Sequence, residues 1–123
     1  MKVCGIVAEY NPFHNGHKYQ IDKIKEEMKA DAIVAVMSGN FIQRGQPALF
    51  DKWTRTKMAL LNGVDLVLEL PTYYAVSSAE YFATGGIGLL NSLGVIDDVC
   101  FGASTEDIDT LKRIANEIGR AHV

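Results

Sequence analysis

The sequence predicts an α/β protein: an open parallel sheet with helices on both faces. Two observations carry this. Four short apolar runs, "KVCGIVA" from Lys2, "AIVAVM" from Ala32, "DLVLEL" from Asp65 and "DDVCFG" from Asp97, have the near-continuous Val, Ile and Leu content of strands buried on both sides. Between them lie segments whose apolar residues recur at helical spacing, and strands that alternate with helices build parallel sheets through right-handed crossovers.

Taken in order, the first run leads into "EYNPFHNGHKYQI" and then a helix from His17 to Met28, with Tyr19, Ile21, Ile24 and Met28 on its apolar face. The second strand opens into a long loop, Ser38 to Phe50, at the end of a parallel strand where open α/β sheets bind ligands. A helix from Asp51 to Leu61 follows, with Trp53, Met58, Ala59 and Leu61 as its apolar residues and Asn62-Gly63 as its stop. After the third strand, Ser77 or Ser78 caps another helix. Its interior glycines, Gly85, Gly86 and Gly88, each cost about 1 kcal/mol against alanine, so the helix is expected to be kinked or closely packed there. A last helix is expected after Ser104 or Thr105, with Ile108, Leu111, Ile114, Ala115 and Ile118 along one side.

Composition bounds what such a chain can be. Its 123 residues are 48% hydrophobic, enough for one modest core and too apolar for a disordered chain. With 12 Lys and Arg against 15 Asp and Glu, the net charge of −3 gives no global attraction for nucleic acid, though a local basic patch stays open. No apolar stretch approaches the ~20 residues that span a bilayer. The start, "MKVCGIVAEY", lacks a small-residue cleavage pattern, so a mature strand, no membrane and a cytoplasmic location are expected. Cys4 and Cys100 sit inside apolar runs and are expected as buried, reduced thiols.

The chemistry concentrates at the first junction. The helix after the first strand points its unpaired N–H groups and positive dipole end at the crevice, where phosphate binds. Gly16 lets backbone approach an anion, Pro12 fixes the loop entry, and His14 and His17 converge on the anion from either side. Imidazole suits phosphoryl or nucleotidyl transfer, which rests on placement and electrostatics. Lys18 is unfavourable with the helix dipole unless an anion sits there. Two other readings stand beside this one: a turn histidine with a solvent-facing helix histidine, and a metal pair, for which only Glu9 lies near as a third ligand. Neither a Gly-x-Gly-x-x-Gly nor a Gly-Lys-Ser/Thr phosphate loop is present.

"NPFHNGH" behind an apolar strand resembles the signature of the HxGH nucleotidyltransferase superfamily, whose two histidines bind nucleotide phosphates on a Rossmann-like fold. Together with "SGNFIQRGQPA", "DKWTRTKMALLNGVDLVLELP", "SAEYFATGGI" and "CFGAS", the chain is similar to the bacterial tRNA(Met) cytidine acetate ligase family. That resemblance implies ATP-dependent activation of acetate to acetyl-adenylate and acetyl transfer to N4 of the wobble cytidine of elongator tRNA(Met), with Mg2+ accompanying ATP. It assigns His14 and His17 as catalytic. It also implies an ATP site from Val7, Ala8, Glu9, Tyr10, Asn11, Pro12, Phe13, His14, Asn15, Gly16, His17, Lys18, Tyr19 and Gln20, with Gly102. The family follows that glycine with Ser-Glu, where this chain has Ala103-Ser104. Members run to several hundred residues, so residues 1–123 are expected to be the N-terminal part of the catalytic domain, with the tRNA-binding part elsewhere. A sheet without its last strand leaves an open edge, and a homodimer is one expected outcome.

Asn40, Gln43, Arg44 and Asp51 are candidates of lower rank for substrate or phosphate contact. Lys52, Arg55 and Lys57 with Arg44 read either as a small basic patch or, preferably, as a solvated helix face. Trp53 and Phe50 read as core in preference to base-stacking. Two alternatives to the ligase remain: an adenylyl- or nucleotidyltransferase of cofactor synthesis, against which the "SGNFIQRG" loop argues, and a non-catalytic nucleotide- or RNA-binding fragment.

Overall fold

The computed structural model describes residues 1–100 and 121–122. In chain order the elements are β1 (Val3–Ala8), α1 (Asn15–Glu27), β2 (Ala32–Ser38), a 3-10 turn (Gln43–Gly45), α2 (Lys52–Leu61), β3 (Leu66–Leu70), α3 (Thr72–Ala75), α4 (Ala79–Ser92), β4 (Asp98–Cys100) and β5 (Ala121–His122). The strands form one sheet in the order β3-β2-β1-β4-β5, and each neighbouring pair is parallel. All four expected strands are present, and β5 is a fifth that a two-residue run could not announce. The helix expected after Ser104, and Gly102, lie outside the described residues.

Alternation along the strands divides the core into two layers. Ile33, Ala35 and Met37 of β2 meet Ile21 and Ile24 of α1 and Ala59 of α2 on one face. Val34 and Val36 meet Phe82, Ala83, Ile87 and Leu90 of α4 on the other. Register is set at the strand starts by three aspartates. Asp31 accepts the N–H of Lys2 (2.7 Å), Asp65 that of Ile33 (2.8 Å) and Asp97 that of Val3 (2.8 Å), so each carboxylate ties its own strand to the next one in the sheet. Cys4 and Cys100 are free and buried, as expected. They are diagonal neighbours on β1 and β4 with Sγ atoms 2.9 Å apart, and that hydrogen bond, then burial, push the Cys4 thiol up.

The glycines of α4 do not interrupt it, and the helix is continuous from Ala79 to Ser92. A Cβ on Gly86 would stand 2.5 Å from Val7 of β1, and one on Gly85 would run into the Tyr74 ring, whereas Gly88 faces open space. Gly86 therefore lets the helix lie close on the sheet, and Gly85 lets it lie close on α3. Helix α2 departs further from expectation. Its buried residues are Arg55 and Ala59, while Trp53 is 74% and Leu61 75% exposed. Phe50, at 41%, is exposed as well, so the core reading of Trp53 and Phe50 and the solvated-face reading of Arg55 are both overturned. The physical reason is position: the first turn of α2 stands over the ends of β1 and β2, where backbone carbonyls need donors. Tyr19 likewise leaves the apolar face of α1, at 64% exposed with the Lys23 ammonium 5.4 Å from its ring centroid. Among the described residues, no helix is long and apolar enough to cross a membrane.

Candidate nucleotide site

From β1 the chain passes to β2 and β3 on one side, then returns to the other side of β1 as β4. This reversal is the topological switch point, and in open α/β sheets ligands bind outside the carboxyl ends of the strands there. The end of β1 meets this rule. Tyr10 turns the chain in the left-handed region (φ 49°), the Asn11–Pro12 peptide is cis, and α1 begins at Asn15.

His14 is the N-cap of that helix. Its Nδ1 accepts the Gly16 N–H (3.0 Å), and His17 Nδ1 accepts the His14 N–H (3.1 Å). This is the reciprocal arrangement of a capping box, usually made by Ser or Thr with Glu or Gln, built here from two imidazoles. Because each Nδ1 accepts, each neutral ring carries its proton on Nε2, a tautomer assigned from the hydrogen bonds. The pair thus offers two Nε2–H donors. The rings stack with centroids 3.7 Å apart and planes 19° from parallel, so they stand side by side and do not flank an anion from two sides. Gly16 is required locally, since a Cβ there would lie 2.8 Å from His14 Cε1.

A second expectation also changes. The amides of Gly16, His17 and Lys18 are engaged, the first with the His14 ring and the other two with the His14 carbonyl (3.0 and 3.1 Å). Of the amides expected to face an anion at this helix start, these three are therefore already engaged. His17 packs edge-on against Tyr10 (centroids 4.8 Å) and beside Phe13 (5.4 Å). Burial first, and the neighbouring His14 second, lower its pKa to about 4, so it donates as a neutral ring at pH 7.

The histidines open onto a cavity of about 650 Å³, within the usual range for small-molecule sites. Val7, Ala8, Glu9, Tyr10, Asn11, Pro12, His14, Gly16, His17 and Gln20 line it, joined by Phe82 of α4. The Tyr10 hydroxyl is buried with no hydrogen-bond partner among the described residues, and burial pushes its pKa up, keeping it a donor. Four residues of the expected stretch stand off the wall. Phe13 packs behind, edge-on to Tyr10 (4.9 Å); Asn15 is exposed at the start of α1; Tyr19 faces solvent; and Lys18 pairs with Asp22 (3.1 Å) on the outer surface. Lys18 is thus a surface ion pair, and its charge does not mark the anion site.

The lower-ranked candidates serve the loop after β2. Asn40 Oδ1 accepts the Lys52 N–H (2.9 Å) and Asp51 Oδ1 the Thr54 N–H (2.7 Å), so both cap α2. The Gln43 N–H donates to Glu9 Oε2 (3.0 Å), and the Leu49 N–H to Asn11 Oδ1 (2.7 Å). Arg44 lies in the 3-10 turn, its side chain outside the description. Two residues were not expected at the site. Phe82 arrives from 65 positions after His17, and the only signal for it was Gly86, which marks where α4 packs against Val7 of β1, one turn later. The other is Arg55, fully buried, whose guanidinium donates to the carbonyls of Phe50 (3.0 Å), Glu9 (2.7 Å), Ser38 (3.1 Å) and Gly39.

A parallel sheet whose first strand runs into a helix capped by paired histidines around a glycine defines a nucleotidyltransferase-type α/β protein. The chain belongs to the HIGH Nucleotidyl Transferase family, which it matches over residues 1–122. More particularly, it is similar to the tRNA(Met) cytidine acetate ligase of Caldicellulosiruptor saccharolyticus, 64% identical over 94% of this chain and 28% of that protein. It is also similar to that of Clostridium kluyveri, 60% identical over 90% of this chain and 27% of that protein. The crystal structure of Thermotoga maritima TmcAL bound with alpha-thio ATP superposes with a TM-score of 0.83 at 51% identity, covering 96% of this chain and 29% of that one. A bifunctional NMN adenylyltransferase/ADP ribose pyrophosphatase from Francisella tularensis shares the fold alone, with a TM-score of 0.58 at 16% identity. The chain thus spans little more than a quarter of the length of the curated relatives it matches.

Proposed function

We propose that this chain forms the ATP-binding part of a tRNA(Met) cytidine acetate ligase. The observation that carries the reading is the reciprocal His14–His17 cap, which puts two Nε2–H donors beside a cavity of about 650 Å³ at the switch point of the sheet. In the reaction so assigned, a carboxylate oxygen of acetate forms a bond to the α-phosphorus of ATP while the bond to pyrophosphate breaks. The N4 amine of the wobble cytidine of elongator tRNA(Met) then forms a bond to the acetyl carbon as the bond to AMP breaks, AMP leaves and N4 loses a proton. His14 and His17 donate to phosphate oxygens as charge grows on them, which is where preorganised donors lower a barrier most. Glu9, Asn11 and Gln20 of the cavity wall supply polar contacts for the nucleotide, and Gly102 is assigned to it by family resemblance.

Mg2+ is proposed to arrive with the triphosphate. Among the described residues no group of three His, Cys, Asp or Glu side chains gathers to hold a metal, and this cation commonly keeps its waters and phosphate oxygens as ligands. A cytoplasmic location and pairing of two copies through an open sheet edge belong to the same reading. The test is acetate-dependent exchange of labelled pyrophosphate into ATP by the full-length protein. Exchange that requires acetate is expected; exchange that ignores acetate, or follows another acid, would overturn the assignment.

A further inference from the structure

Arg55 is a cation with no surface, being fully buried, yet among the described residues its guanidinium is bonded to no carboxylate. A buried charge without a partner is costly, so whatever replaces the partner must be held firmly. Here it is four backbone carbonyls from three stretches of chain. Nε–H donates to Phe50, at the approach to α2; one Nη donates to both Glu9, just past β1, and Ser38, at the end of β2; the other donates to Gly39. A planar fork with five fixed donors can satisfy this set, and an ammonium with three cannot.

The bracket does not act alone. Glu9 Oε2 takes the Gln43 N–H and Asn11 Oδ1 takes the Leu49 N–H, so two residues of the cavity wall also hold the far ends of the loop after β2. Neither Gln43 nor Leu49 lines the cavity. The loop between Ser38 and Phe50 is therefore tied to the wall at every stage: Ser38 and Gly39 through Arg55, Gln43 through Glu9, Leu49 through Asn11, and Phe50 through Arg55 again.

We propose that Arg55 is a positioning residue of the nucleotide site: it locks the loop after β1 to the loop after β2, so that occupancy of the cavity is transmitted to residues 40–50. The proposal rests on the nucleotide reading above. Its geometric content is that the Glu9 carbonyl, drawn toward Arg55, fixes the plane of the Glu9–Tyr10 peptide from which the turn to His14 departs. A misplacement of that turn by about 1 Å would be felt in binding and rate.

Two measurements on the full-length protein test it. The first is amide hydrogen exchange of the unsubstituted protein with and without a non-hydrolysable ATP analogue. Slower exchange at residues 9–17, together with slowing of at least about threefold at Gln43 and Leu49, is expected from the shared hydrogen bonds. Protection at 9–17 with Gln43 and Leu49 unchanged overturns the coupling and spares the nucleotide reading. No protection at 9–17 overturns the nucleotide reading, and the coupling with it. The second compares Arg55→Lys with Ala59→Gly, a substitution one turn along the same buried face that leaves the bracket intact. Both are expected to lower Tm, but only Arg55→Lys should raise the KM for ATP, by about tenfold to a hundredfold. An equal rise in both, or in neither, reduces Arg55 to a structural role.

Discussion

The starts of α1 and α2 both lie at the carboxyl end of the sheet, after β1 and β2, and they solve opposite problems. At α1, polar residues face outward to a cavity: two histidines cap the helix with their Nδ1 atoms and, in the function proposed above, keep their Nε2 atoms for a ligand. At α2, the polar residue goes inward. Asp51 caps the helix while Arg55 turns beneath it to serve four carbonyls, and the aromatic ring of Trp53 is left outside. The lesson is that a charged residue in a helix can belong to the interior when the element below it ends in unpaired carbonyls, since each buried orphan would cost about 1–3 kcal/mol.

The contrast can be broken most forcefully at Arg55. Replacing it with Met keeps the volume and strands four carbonyls, so the free energy of unfolding should fall by about 4 kcal/mol or more, read by urea denaturation. A loss below about 1 kcal/mol would mean that water reaches those carbonyls and that the bracket holds little. At α1 the expected effect is on chemistry. His17→Ala should slow adenylate formation by about tenfold to a thousandfold, with about 1.4 kcal/mol of barrier for each tenfold, and an unchanged rate of pyrophosphate exchange would remove His17 from the reaction.

A smaller effect separates the two starts by pH. His17 has a pKa of about 4 when folded against its ordinary value of 6.5, so between those values the unfolded chain binds more protons. Stability contributed by the neutral ring is then fully present above about pH 6.5 and is lost as pH falls through about 4. His17→Gln should flatten that part of the stability profile, whereas Arg55, charged throughout, adds no slope there. An unchanged slope in the variant would assign the titration elsewhere. The least effect belongs to Trp53→Ala, expected to change stability by less than about 0.5 kcal/mol because the ring is mostly in solvent. A larger loss in the full-length protein would place another segment over it.

Much of this was legible from residue pattern. The β1–β4 runs and the helices α1, α2 and α4 announced themselves through apolar period, and the His14–His17 spacing through its place after the first strand. What escaped had physical reasons. Helix α3 is four residues long and β5 two, too short for any period to register. Arg55 escaped because an apolar pattern assigns every arginine to solvent, and three of the four carbonyls it serves lie 16 to 46 positions away in sequence. Trp53 escaped for the converse reason: its size argued for the core, while its register on α2 put it opposite Arg55's side. Phe82 required knowing which strand α4 crosses, and only the glycines hinted at that. Asn40 and Asp51 were read as ligand contacts because a helix cap and a binding residue draw on the same side chains.

The neutrality of His17 bears on turnover. Fixed cations would grip pyrophosphate after bond cleavage as strongly as they stabilised its departure, and a slow exit would then govern the cycle. In the reaction proposed above, a ring held uncharged by burial first and by His14 second would give directional donation without that lasting grip, leaving the pyrophosphate free to go once the chemistry is over.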